Sequence, residues 1–170
     1  MSIIEHKQSA PKQVRCKVIT VSDTRNEETD KSGKLMKVLL QEAGHITVDY
    51  EIVKDEKTAI QASILEGIAN GQVDVIITNG GTGIALRDVT IETAAELFEK
   101  EINGFGELFR MLSYTEDIGS AAILSRAAAG VISNKAVFCT PGSSGAVKLA
   151  MNKLIIPEIG HIVKELNKDL

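Results

Sequence analysis

Two glycine- and hydroxyl-rich segments are the parts of this sequence best suited to binding a charged ligand. They are residues 78–83 (TNGGTG) and residues 140–145 (TPGSSG). Glycine lets the backbone turn tightly beside a ligand, and successive N–H groups in such a turn can bind one anion. Neither segment matches the dinucleotide fingerprint G-x-G-x-x-G or the Walker pattern G-x-x-x-x-G-K-[ST]. For either segment alone, a phosphate cradle and an ordinary tight turn remain open alternatives.

Acidic residues in neighbouring loops suggest a second chemical role. Asp55 and Asp88 are the main candidates, and Asp23 is a third. Carboxylates beside a phosphate can hold Mg²⁺, which neutralises phosphoryl charge during transfer. A loop aspartate is also often a cap or a solvated charge, and Asp88 stands two residues before Thr90, which is predicted to cap a helix. No histidine is placed to activate a loop serine, so a Ser-His-Asp mechanism is not indicated.

The elements that must position these residues alternate along the chain. Apolar, β-branched runs predict strands at residues 14–21, 47–53, 73–78, 131–133 and 135–139. Helical periodicity predicts helices at residues 31–43, 58–70, 105–113, 118–129 and 145–154, and from Thr90 and Pro157 onward. This alternation predicts a three-layer α/β sandwich, in which helices flank a mostly parallel central sheet. Because ligands bind beyond the carboxyl ends of parallel strands, both glycine-rich segments are expected at one edge, and together they favour a phosphorylated ligand.

Composition narrows the class of protein. The chain has 170 residues and a net charge of −4, with 44% hydrophobic and 4% aromatic residues and no tryptophan, which argues against nucleic-acid binding. No apolar run approaches the ~18 residues of a membrane span, and the polar N-terminus lacks a signal-peptide core, so we expect a cytoplasmic protein without a membrane partner. Residues 1–13 are predicted to be a flexible arm and residues 14–170 a single domain. Cys16 and Cys139 lie in apolar runs and are expected to be buried free thiols.

Five motifs taken in order resemble one known family. They are VSDTR followed by D-x-S-G, GGTG followed by RDVT, NGFGELFRMLSY, ILSRAAAG and TPGSSGAVKLA. In this order they resemble the MoaB/MogA family of molybdenum cofactor biosynthesis, from Val14 to about Glu165. Residues 80–90 (GGTG-x₄-DVT) are the most specific block. Residues 103–114 and the proline-glycine loop are closer to MoaB than to MogA.

This resemblance implies a molybdopterin-binding fold that assembles as a trimer or a dimer of trimers. The family reaction joins AMP from Mg-ATP to the terminal phosphate of molybdopterin and releases pyrophosphate. By motif position, Asp55 and Asp88 would be the catalytic residues and would also hold Mg²⁺. The implied substrate-binding residues are Ser22, Asp23, Gly80, Gly81, Thr82, Gly83, Pro141, Gly142, Ser143 and Ser144. Other molybdenum cofactor enzymes are implied as partners. A non-catalytic molybdopterin-binding or carrier protein is the alternative, and a nucleotide-binding regulator is a third.

Overall fold

A single mixed β-sheet forms the centre of the molecule. The structure is a computed structural model that describes residues 2–170, except for the side chains of His6 and Lys7. In that part of the chain the strands are β1 Arg15–Val21, β2 Ile46–Val53, β3 Val75–Asn79, β4 Lys100–Glu101, β5 Ala128–Ile132 and β6 Lys135–Thr140. Their order in the sheet is β2-β1-β3-β6-β5-β4. The parallel strands are β2, β1, β3 and β6, whereas β5 runs antiparallel to β6 and β4 antiparallel to β5.

Helices cover both faces of the sheet. They are α1 Ile3–Gln8, α2 Lys31–Glu42, α3 Lys57–Ala69, α4 Thr90–Leu97, α5 Asn103–Glu116, α6 Ser144–Ala150 and α7 Ile156–Asn167. Alternate residues of β1 point to opposite faces: Val18 packs in a core with residues of α2, α5, α6 and α7, and Ile19 in a core with residues of α3 and α4. The fold is therefore the predicted three-layer α/β sandwich.

The strand order creates a crevice at one edge. The chain passes from β1 to β2 on one side, and then returns to place β3 on the other side of β1. The loops after β1 and β3 therefore diverge, and ligands of open α/β sheets bind at such a switch point. The glycine-rich loop after β3 begins at this place.

Three stretches differ from the sequence-based expectation. The predicted flexible arm contains helix α1, and β4 was not predicted. The predicted helix at residues 118–129 is wrong, because this stretch forms a 3₁₀ helix, Gly119–Leu124, followed by the start of β5. Alanine favours helix, but packing overrides it: β5 pairs with β6, and Gly130 lies so close to Phe98 that a Cβ would be 2.3 Å from the ring.

Helices α6 and α7 are joined through one π-helical turn, Met151–Ile155, rather than by a loop. Within this turn the N–H of Ile156 donates to the carbonyl of Met151. Pro157 follows at once, and in a regular α-helix its ring would clash with the carbonyl of Lys153. The wider turn lies where that clash would occur, so the chain continues helically past the proline.

Both cysteines are free and buried, as the sequence predicts. Burial raises the pKa of the Cys16 thiol to about 12 and that of the Cys139 thiol to about 11. Among residues 2–170, none of the helices combines the length and the apolar character that a membrane span requires. The cytoplasmic location and the domain boundary at residue 14 stay predictions.

Candidate functional site

A cavity of about 340 Å³ lies at the carboxyl ends of β1, β3 and β6. It is lined by Val21, Ser22, Thr24, Arg25, Asp55, Gly80, Gly81, Thr82, Gly83, Asp88 and Gly142. The structure therefore brings together both predicted catalytic aspartates, the whole loop 80–83, Ser22 and Gly142. Four predicted site residues do not line the cavity: Asp23, Pro141, Ser143 and Ser144. Among these, Ser143 caps α6, since its hydroxyl accepts the N–H of Ala146.

The loop 80–83 is held from one side by Thr90. The Thr90 hydroxyl donates to the carbonyl of Gly80 at 2.9 Å, and its N–H donates to the carbonyl of Gly81 at 3.0 Å. The prediction that Thr90 caps a helix is wrong, because Thr90 is the first residue of α4 and its hydroxyl binds the loop. Gly80 has a φ of +97°, and a Cβ there would lie 2.2 Å from the carbonyl oxygen of Val21, so this position requires glycine.

Arg126 holds the same loop further along. Its Nε donates to the carbonyl of Thr82 at 2.9 Å, and its Nη2 donates to the carbonyl of Gly83 at 2.7 Å. The guanidinium also pairs with Glu92 of α4, and its hydrogen bond lowers the pKa of that carboxyl. Arg126 was not a predicted site residue. It lies in the quoted motif ILSRAAAG, but the motif does not show what Arg126 binds, because its contacts lie more than 30 positions away along the chain.

The backbone N–H groups of this loop have no acceptor in the described residues. These are the amides of Gly81, Thr82, Gly83 and Ile84, all outside the helices and strands. Consecutive free amides form a concave donor site for an anion. Because residues 81–83 line the cavity, such a site suits a phosphate group.

Asp55 and Asp88 approach the loop where it lacks side chains. A Cβ on Gly81 would lie 3.0 Å from Oδ1 of Asp55, and one on Gly83 would lie 2.5 Å from Oδ2 of Asp88. Oδ2 of Asp88 accepts the N–H of Ala85 at 2.9 Å. The alternative role of Asp88 as a helix cap is therefore not supported, because the carboxylate closes a turn before α4.

Asp55 is tied to Asp23 by a reciprocal pair of hydrogen bonds. The N–H of Asp23 donates to Oδ2 of Asp55 at 2.9 Å, and the N–H of Asp55 donates to Oδ1 of Asp23 at 3.1 Å. The guanidinium of Arg87 binds the Asp23 carboxylate through two hydrogen bonds, of 2.6 and 2.9 Å. These bonds lower the pKa of Asp23. Burial, and then the nearby charge of Asp23, raise the pKa of Asp55. A bound cation would favour the ionised form of Asp55.

Arg25 connects the loop after β1 to the loop after β6. Its Nη2 donates to the carbonyl of Gly142 at 3.0 Å, and its Nη1 donates to the hydroxyl of Ser32. Nη1 also lies 3.7 Å from the carboxylate of Asp30, which is fully buried. Neither Arg25 nor Asp30 was a predicted site residue, although both lie in the quoted motifs VSDTR and D-x-S-G.

If cavity volume alone decided the candidate site, a larger groove elsewhere on the surface would be chosen. A groove of about 680 Å³ lies between α2 and the start of β2 and is lined by Lys34, Lys37, Val38, Gln41, His45, Ile46 and Thr47. It contains no carboxylate, no glycine-rich loop and no predicted site residue. The smaller cavity is therefore the candidate functional site.

Comparison with known proteins agrees with the fold and with this site. A family profile described as "Probable molybdopterin binding domain" matches residues 17–161, which include every residue that lines the cavity. The chain belongs to this molybdenum cofactor biosynthesis family. The resemblance to MoaB/MogA proteins is thereby confirmed.

Individual members of the family are similar over nearly the whole chain. Molybdenum cofactor biosynthesis protein B of Bacillus subtilis is 70% identical over 169 residues, which is 99% of each chain. A crystal structure of a molybdenum cofactor biosynthesis protein B, 64% identical, superimposes with a TM-score of 0.92 and covers 94% of this chain and 99% of the other. The tungsten cofactor synthesizing protein MoaB from Pyrococcus furiosus is 42% identical, with a TM-score of 0.82 and coverage of 92% and 99%.

Proposed function

We propose that this chain binds molybdopterin in the cavity and transfers AMP from ATP to the terminal phosphate of molybdopterin. The observation that carries the proposal is that one cavity brings together a run of amides, for which the described residues offer no acceptor, and the carboxylates of Asp55 and Asp88. The amides suit an oxyanion, and the carboxylates suit the divalent cation that accompanies ATP. Membership of the molybdenum cofactor biosynthesis family supports molybdopterin as the phosphate-bearing substrate.

Asp55 and Asp88 are the residues that would hold Mg²⁺. Oδ1 of each carboxylate receives no hydrogen bond in the described part of the chain, so both oxygens are available to a cation. Mg²⁺ is usually held by one or two carboxylates together with substrate phosphates and water. When bound, the ion would neutralise phosphoryl charge.

The transfer itself needs no nucleophile from the protein. An oxygen of the molybdopterin phosphate attacks the α-phosphorus of ATP, and a new P–O bond forms. The bond between the α-phosphorus and the bridging oxygen breaks, and pyrophosphate leaves with the electron pair. The chain contributes by aligning the two phosphates and by placing amide dipoles where charge develops. This agrees with the lack of any predicted Ser-His pair.

The test is to incubate the purified protein with molybdopterin and Mg-ATP and to measure adenylated molybdopterin and pyrophosphate. We expect product from the native chain, and a loss of about 100-fold or more for Asp55→Asn and for Asp88→Asn. Asp74→Asn is the control, since Asp74 pairs with Arg15 at the opposite end of the sheet. It should form product at the native rate.

Binding without product would favour the alternative of a non-catalytic molybdopterin-binding or carrier protein. A nucleotide-binding regulator would instead bind ATP whether or not molybdopterin is present, which equilibrium dialysis measures. Equal product from the native chain and both aspartate variants would contradict the assigned catalytic roles.

We also propose that the chain forms a homo-oligomer, either a trimer or a dimer of trimers. Exposed apolar side chains cluster on α5 and just after it: Leu108, Met111, Tyr114, Ile118, Ile123 and Leu124. An apolar patch of this kind on a protein surface usually marks a contact with another chain. Other molybdenum cofactor enzymes are a second class of partner under this proposal.

A further inference from the structure

We infer that Arg126 is a positioning residue, which orients the amides that bind the ligand's phosphate without touching the ligand. The inference rests on the proposed function only in assuming that the ligand carries a phosphate. Arg126 does not line the cavity, and it reaches the loop 80–83 through backbone carbonyls.

The carbonyl groups and the N–H groups of the loop 80–83 differ in their hydrogen bonding. The carbonyls of residues 80 and 81 accept from Thr90, and those of residues 82 and 83 accept from Arg126. In each of these four peptide units the carbonyl is therefore occupied, while the N–H, which belongs to residues 81–84, has no acceptor in the described residues.

Because a peptide unit is planar, holding its carbonyl also fixes the direction of its N–H group. The C=O and N–H of a trans peptide point in opposite directions. When Arg126 holds the carbonyls of Thr82 and Gly83, it turns the N–H groups of Gly83 and Ile84 away from itself. It also keeps two carbonyl oxygens, which would repel an anion, from rotating toward the ligand. Its positive charge polarises both peptide units and strengthens their N–H groups as donors.

Glu92 keeps the guanidinium in place. Arg126 binds the Glu92 carboxylate through Nη1 and Nη2, so the planar fork is held between α4 and the loop. A lysine would supply the same charge, but its three donors sit on one nitrogen, so it could not reproduce the planar fork with which Arg126 reaches two carbonyls and both oxygens of the Glu92 carboxylate. The arrangement therefore favours arginine.

The test measures binding of inorganic pyrophosphate by calorimetry, which does not depend on adenylyl transfer. We expect Arg126→Ala to weaken the affinity about tenfold or more and Arg126→Lys to restore part of it. Adding millimolar guanidinium should restore affinity to the alanine variant, whereas methylammonium should not. Backbone amide NMR shifts of residues 81–84 should move in Arg126→Ala and return with guanidinium.

The matched control is Arg15→Ala, which breaks an ion pair of similar geometry with Asp74 at the other end of β1. It should lower stability without changing pyrophosphate affinity or the loop amide shifts. The inference would be overturned if Arg126→Ala bound pyrophosphate with unchanged affinity. If the alanine variant does not fold, unchanged affinity in Arg126→Lys would overturn it. So would an equal loss in Arg15→Ala. Neither result would affect adenylyl transfer by the native chain, and failure of that transfer alone would leave this inference standing.

Discussion

Asp30 illustrates how a single buried carboxylate can support a site that it does not line. Its side chain is fully buried, and Oδ2 accepts the hydroxyl hydrogens of Thr20 and Tyr50 while Oδ1 accepts the N–H of Gly33. Burial on its own would raise the pKa of Asp30, but these hydrogen bonds lower it below its ordinary value. The ionised carboxylate therefore stabilises the start of α2 and the position of Arg25.

A pH-dependent stability follows for this residue. The folded-state pKa of Asp30 lies below its unfolded value of about 3.9, so the stabilisation is complete above that pH and is lost as the pH falls through the folded pKa. Asp30→Asn should lower the free energy of unfolding by about 2–4 kcal/mol at pH 7 and by less at pH 3. Urea titrations at both values measure the difference. Asp169→Asn, at the exposed C-terminal end, should show no such loss, and an equal loss for Asp30→Asn at both values would contradict the account.

At the scale of elements, the loop 80–83 and the start of α4 form one unit that depends on glycine. Gly81 has a φ of +67°, and a Cβ there would lie 2.3 Å from the Thr90 hydroxyl oxygen and 3.0 Å from Asp55. Gly44, after α2, also has a positive φ, of +85°, but a Cβ there would meet nothing within 4 Å. A substitution at Gly44 therefore tests backbone strain alone, whereas a substitution at Gly81 also disturbs the site.

Gly44→Ala should cost about 1–2 kcal/mol of stability, from the left-handed backbone alone, and leave pyrophosphate binding unchanged. Gly81→Ala should cost more and also weaken binding, because the new methyl group displaces Thr90 or Asp55. Thermal unfolding and calorimetry on both variants measure the two effects. Binding by Gly81→Ala as tight as native binding would show that the loop does not form the anion site.

The parallel strands and α2 could be predicted because their apolar spacing is local. β4 could not, because its two residues are exposed and carry no apolar pattern. The stretch from residue 118 to residue 129 has the composition of a helix, but its last two residues, Ala128 and Ala129, pair with β6 instead. Topology likewise predicts one edge of the sheet for the glycine-rich loops and for Asp55 and Asp88. The role of Arg126 depends on contacts distant in sequence.

At the scale of the whole molecule, the outer surface of α5 carries large exposed apolar side chains. Helix α5 buries Phe105 and Phe109 in the core but exposes Tyr114 by 62% and Met111 by 52%. A single helix with apolar residues on two sides is expected where a second chain covers the outer side. The mild net charge of −4 leaves little repulsion to oppose association.

Replacing Met111 and Tyr114 by glutamate should therefore separate the assembly. Sedimentation of the native chain should give a mass three or six times the 18.3 kDa of one chain, and the double variant should sediment as single chains. Leu65→Glu is the control, since Leu65 is exposed on α3 across the sheet. A native chain that sediments as a monomer at micromolar concentration would refute the assembly.

The π-helical turn between α6 and α7 also accommodates one extra residue. A residue of an α-helix advances the side-chain direction by about 100°, and a residue of the wider turn advances it by less, so the turn completes nearly the same rotation with one residue more. Removing exposed Asn152 would leave a regular α-helical turn with Ile159 and Val163 still facing the core, but it would force the ring of Pro157 against the carbonyl of Lys153. This segment should therefore resist single-residue deletion even at an exposed position, where sequence variation is otherwise well tolerated.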